Sequence, residues 1–116
     1  MAERIDALIS EFVSASRCHH EATLKGDYKR TNREADRIHK AVQELRALGA
    51  EGREALMQVA LTEDEPAAGM AAAYSLKYDP DRSLTVLKRL AKDPGLLGFE
   101  ASETIKRWKS GEWQLE

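Results

Sequence analysis

The chain has 116 residues, enough for one modest core and too few for two domains. Its 42% hydrophobic and 33% charged content excludes a disordered chain, and a net charge of −2 excludes a global field that would recruit nucleic acid or an anionic membrane. One cysteine, Cys18, excludes an intramolecular disulfide and fits a reducing compartment.

The opening residues lead straight into an amphipathic pattern, so neither a signal peptide nor a transmembrane span is expected, and a cytoplasmic location is. Ile5, Leu8, Ile9, Phe12 and Val13 follow helical spacing and predict a first helix over about residues 3–25, ended by Gly26. Asp27 can cap a second, whose stripe is Ala35, Ile38, Val42, Leu45 and Leu48, closed by Gly49. Two long helices joined by a tight turn predict an antiparallel hairpin over residues 1–48.

Beyond Gly49 each proline follows an acidic residue, in Glu65-Pro66, Asp79-Pro80 and Asp93-Pro94, at intervals of 14. Proline suits the first helical position and an acidic neighbour suits the cap and the helix dipole. Short helices are therefore predicted at 50–62, 66–78, 80–92 and 95–110, followed by a tail at 111–116. No segment alternates like a strand.

Leu56–Tyr78 recurs 29 positions later as Thr85–Arg107, with Met57 on Val86, Leu61 on Leu90, Gly69 on Gly98, Ala72 on Ala101 and Leu76 on Ile105. Apolar and small positions recur while polar ones drift, as in stacked helical hairpins. Two proline intervals make 28, so a one-residue insertion is expected near Asp93–Leu96. The alanines of 67–73 predict a central helix in close contact with its neighbours. Leu97, Ala101, Ile105 and Trp108 share one face of the last helix and leave Phe99 on the other, where the Trp113–Leu115 tail could fold over it. The expected architecture is all-α: an α-α superhelix in which a long N-terminal hairpin precedes two short HEAT-like hairpins at 49–110.

The run Ala55–Leu76 resembles a short HEAT-type repeat: a leucine-bearing helix, an acidic turn, then a helix with an alanine pair and a leucine four residues on. Both copies carry glycine, Gly69 and Gly98, where such repeats usually carry arginine. Through Ile5–Ser16, Asn32 and Arg33, and the run from Leu45 to Leu56, the whole chain resembles a small bacterial family of uncharacterised α-α superhelical domains. Some members are suspected immunity proteins of polymorphic-toxin loci. The resemblance implies a non-catalytic module that binds and blocks a cognate toxin or another bacterial protein.

Cys18, His19, His20 and His39 raise the question of zinc. At about 100° per residue, however, Cys18 and His20 point roughly 160° apart, and His19 and His20 are expected to flank the apolar stripe on either side. No metal and no cofactor is expected. There is no glycine-framed serine, no cysteine signature and no phosphate loop, so no enzyme is expected either.

Charge, by contrast, is segregated. Lys29, Arg33, Arg37 and Lys40 fall within about an 80° arc opposite Ile38 and Val42, with Arg30 beside them and Arg30–Glu34 and Asp36–Lys40 spaced for pairing. Residues 49–80 hold two basic against six acidic residues, including Glu63, Asp64 and Glu65. Lys88, Arg89 and Lys92 form a smaller basic edge. The candidate partner-binding residues are Lys29, Arg33, Arg37, Lys40, Glu63, Asp64, Glu65, Phe99 and Trp113. Nucleic-acid binding through the basic face of the second helix is the alternative, disfavoured by net charge and few aromatics. A HEAT-like lyase comes third, and a homo-oligomer stays open.

Overall fold

The first apolar stripe turns inward in the computed structural model, which describes residues 2–112: Leu8, Phe12 and Val13 are buried, and Ile5 and Ile9 pack against them half-buried. This is α1 (Ala2–Lys25). Gly26 ends it at φ 71°, its N–H donating to the Thr23 carbonyl while the Asp27 N–H donates to Ala22, the bond pair of a left-handed C-cap. The Asp27 carboxylate then accepts from the Arg30 N–H at 3.1 Å and caps α2 (Tyr28–Ala47). With Gly26 closing α1 and Asp27 opening α2, the two helices fold back on each other as the expected hairpin, and Ile38, Ala41, Val42 and Leu45 are buried.

Four shorter helices follow: α3 (Ala50–Thr62), α4 (Ala67–Ser75), α5 (Pro80–Leu90) and α6 (Leu96–Lys109). The described residues are all-helical, with no strand. Helix α4 stops short of the predicted residue 78: the Leu76 and Tyr78 N–H groups donate three residues back, to the Ala73 and Ser75 carbonyls, which tightens the end of the helix before Pro80. The residue before a proline is itself held away from helical angles.

Only one of the three acidic–proline pairs acts as predicted. Asp79 caps α5, accepting from the Arg82 N–H at 3.2 Å, with Pro80 as the first helical residue. Pro66 occupies the cap position of α4 itself, and no side chain caps that helix. Asp93 and Pro94 lie before the cap of α6, which is Gly95, and the Asp93 carboxylate is taken by the Gly95 N–H at 2.8 Å. The expected insertion sits in this turn: residues 63–66 join α3 to α4 in four, whereas 91–95 join α5 to α6 in five.

Successive hairpins pack like on like, α3 against α5 and α4 against α6, while α1 closes over α3 and α4. Helix α4 is central, as its alanines predict, touching α1, α3, α5 and α6. Ala67, Ala68, Ala71 and Ala72 are fully buried there. Around them Phe12, Ile38, Leu45, Met57, Leu76 and Leu87 are wholly enclosed, each worth about 1.5–3 kcal/mol over exposure.

The two glycines of the repeat are not equivalent. A Cβ on Gly69 would meet Leu90 Cδ1 at 3.4 Å, an ordinary contact, whereas a Cβ on Gly98 would fall 1.8 Å from the Asp93 carbonyl oxygen. Gly98 instead matches Gly52, the third residue of α3, whose Cβ would fall 1.8 Å from the Leu45 carbonyl oxygen. In both places a helix start packs on the backbone just before it, the last turn of α2 for Gly52 and the α5–α6 turn for Gly98.

Candidate functional site

The basic stripe of α2 is divided by the hairpin that carries it. Arg37 reaches over to α1, donating from Nε to Glu11 at 2.7 Å, and also pairs with the buried Glu34 on its own helix. The hydrogen bond from Arg37, with the charges of Arg37 and Lys40, holds the Glu11 carboxyl below its ordinary range. Arg30 pairs at 3.7 Å with Glu21 of α1 rather than with Glu34, and Arg4 of α1 pairs with Glu44. The expected Asp36–Lys40 pair does not form among the described residues. Lys40 borders the α1–α2 groove beside Arg37, and Lys29 and Arg33 are exposed on the N-terminal half of α2.

The acidic turn likewise faces three ways. Glu63 borders a groove along Ile9, Val13 and Cys18 of α1, and Asp64 is exposed. Glu65 turns inward, where its Oε2 is buried with no hydrogen-bond partner. Phe99 is 61% exposed on α6, opposite Leu97, Ala101, Ile105 and Trp108, as predicted. Trp113 and the fold-back of the tail lie outside the described residues. Cys18, His19, His20 and His39 do not gather: Cys18 borders the Glu63 groove, His39 stands 6.4 Å from the Tyr74 ring, and both His19 and His20 are half-buried and border one pocket. Among the described residues no three His, Cys, Asp or Glu side chains converge on a point where a metal could sit.

What the fold does assemble is a cleft of about 190 Å³ between the end of α2, the start of α3 and the α4–α5 turn. Arg46 in the last turn of α2 and Arg53 in α3 lie on the two sides of the Gly49 turn, where φ is 80°. Both guanidinium carbons stand over the Tyr78 ring, at 5.1 Å and 5.3 Å from its centroid. Arg46 also faces the Tyr74 ring at 5.9 Å and donates from Nη2 to the Tyr74 carbonyl at 3.1 Å. Its Nε is buried and has no acceptor. The ring faces attract these cations, yet two like charges share one tyrosine and neither has a carboxylate partner among the described residues.

The third arginine of the cleft is fully engaged. Arg82 grips Glu54 with both terminal nitrogens, at 3.1 Å and 2.7 Å, and Asp79 with Nε. The Arg82 fork, with a hydrogen bond from Gln58, pulls the Glu54 carboxyl down to about 2. Glu54 and Asp79 are thereby held away from Arg46 and Arg53. Chemically the cleft offers two forked donors and a half-exposed aromatic ring, a setting for one planar anion such as a carboxylate.

The sequence reading missed this cleft, and the only trace of it was an arginine on either side of a helix-breaking glycine. Which way Gly49 turns the chain, and where Tyr78 lands after α4 stops early, are not written in the spacing. Comparison with protein-family models finds none that matches the chain, and neither the curated proteins nor the solved structures yield a match.

Proposed function

We propose that the chain is a non-catalytic protein-interaction module of the immunity type, which captures an acidic side chain of a bacterial toxin domain in the Arg46–Arg53–Tyr78 cleft and blocks that partner by occlusion. The carrying observation is the pair of arginines held over one tyrosine in a concave site without a carboxylate of their own among the described residues. Arginine and tyrosine in a desolvated pocket are the residues that dominate binding energy at protein interfaces. The partner's carboxylate would accept from Arg46 and Arg53 as Glu54 accepts from Arg82. A rigid stack needs little reorganisation to present it, which keeps the ordering cost of association low.

A protein partner is favoured over nucleic acid because the positive charge is local. Polyphosphate binding needs a continuous basic track. Here Arg37 and Arg30 are paired with α1 carboxylates, and Glu54 and Asp79 flank the cleft.

The test is binding kinetics against the product of the neighbouring toxin gene. Arg46→Ala with Arg53→Ala should weaken affinity by about a hundredfold and flatten its salt dependence, and Tyr78→Ala should weaken it by at least about tenfold. Paired reversal at Lys29 and Arg33 should act mainly on the association rate. If the cleft variants, shown to be folded, bind as tightly as the parent chain, the reading is wrong.

A further inference from the structure

A second concave site is a partly open cavity of about 140 Å³ bordered by α1, α4, α5, α6 and the Glu65–Pro66 turn. Its floor is apolar, with Met70, Leu87, Leu90 and Leu97. A cavity of about 150 Å³ is enough to admit benzene, so a short organic chain fits.

Most of the polar groups on its wall are acceptors, while the Ser16 hydroxyl and the His19 and His20 imidazoles can also donate. Thr23 Oγ1 gives its proton to the His19 carbonyl at 2.8 Å, and Thr104 Oγ1 gives its proton to Glu100 at 2.9 Å, so both hydroxyls present lone pairs only. Glu65 and Glu100 supply carboxylates. Ser16 is wholly buried and borders the cavity, and its Oγ has no partner; neither has the buried Oε2 of Glu65. Burial, with Asp93 nearby, pushes the Glu65 carboxyl up, while Arg89 and His20 oppose that rise. The wall carries two carboxylates and no lysine or arginine, and the buried Ser16 Oγ and Glu65 Oε2 stand unpartnered.

We propose that this cavity binds a primary ammonium on a short apolar stem, the head donating to Glu65 and Ser16 and the stem lying on Met70, Leu90 and Leu97. An ammonium brings three donors and the opposite charge, which a hydroxyl or a carboxylate does not. Two sources share this chemistry, a free alkylamine and a lysine side chain of a bound protein.

The experiment is an NMR titration of the full chain at pH 8, where an unperturbed imidazole is neutral and an alkylamine is still charged. n-Butylammonium should give saturable shifts at Ser16, Glu65 and Leu97, with butyrate and n-butanol as controls that give none. Glu65→Gln should weaken binding by at least about tenfold, the scale of a lost charge-assisted bond. Arg46→Ala should leave it unchanged, which separates this site from the arginine cleft. A lysine-containing peptide and its Nε-acetylated form distinguish the sources: shifts from the first alone point to a protein lysine, and shifts from butylammonium without the peptide point to a small amine. The proposal is overturned if neither probe saturates, if n-butanol binds as well, or if folded Glu65→Gln binds undiminished.

Discussion

Glu65 and Glu54 carry opposite pH signatures, because burial acts on the first and an arginine fork on the second. A carboxyl raised by folding contributes stability that is complete below its unfolded value, near 4.5, and is lost as pH rises through the folded value. Glu65→Gln should therefore stabilise the protein at pH 7 by on the order of half a kcal/mol, and the gain should vanish in acid. Glu54 is lowered from 4.5 to about 2, so its ion pair stabilises above 4.5 and is lost as pH falls from there toward 2. Glu54→Gln should destabilise at pH 7 and approach the parent chain near pH 2. Urea midpoints at pH 7, 4.5 and 2.5 measure both, and parallel curves for the two variants would contradict the assignment. Of the two carboxylates the sequence suggested a role only for Glu65, and placed it at the helix dipole. Its inward turn depends on the cavity that α6 closes, which no local pattern encodes.

At the scale of the element, the 29-residue repeat pairs Gly69 with Gly98 and so predicts a similar response to substitution. The backbone predicts the reverse. Gly69→Ala adds a methyl at ordinary distance from Leu90 inside a helix and should stabilise by about 0.5–1 kcal/mol. Gly98→Ala drives a methyl into the Asp93 carbonyl and should destabilise by at least about 1–3 kcal/mol, as overpacking does. Thermal melts of the two variants decide between them, and equal shifts of the same sign would restore the sequence equivalence. The repeat is legible because burial recurs, as at Met57 and Val86 or Ala72 and Ala101. It misleads where one copy has a neighbour that the other lacks: Leu90 packs beside Gly69 and is buried, while Leu61 is exposed.

The molecule as a whole depends on α4, a helix with almost no side chain beyond Cβ along its buried face. Ala72 is fully enclosed and Ala101 nearly so. A glutamate at either site buries a charge without a partner, a penalty of several kcal/mol against a total stability of about 5–15. Ala72→Glu should abolish cooperative unfolding and the native helical circular dichroism. Ala101→Glu, beside the Glu65 cavity, adds a like charge and should do the same. Native stability in both variants would remove α4 from the centre of the stack.

Period and punctuation determined what is local in this protein: six helices among the described residues, their order, the antiparallel hairpin around Gly26 and Asp27, the central place of the alanine-rich helix and the extra residue before α6. These follow from spacing at 3.6 residues per turn and from glycine and proline geometry, which act within a few residues of themselves. Tertiary structure decided the partners of the charges. Arg37 and Arg30 take carboxylates from α1 instead of from their own helix, Glu65 leaves the solvent, and Arg46 and Arg53 meet over Tyr78. Side-chain electrostatics reaches across helices over a few ångströms in space, and sequence separation carries no record of which helices those few ångströms will join.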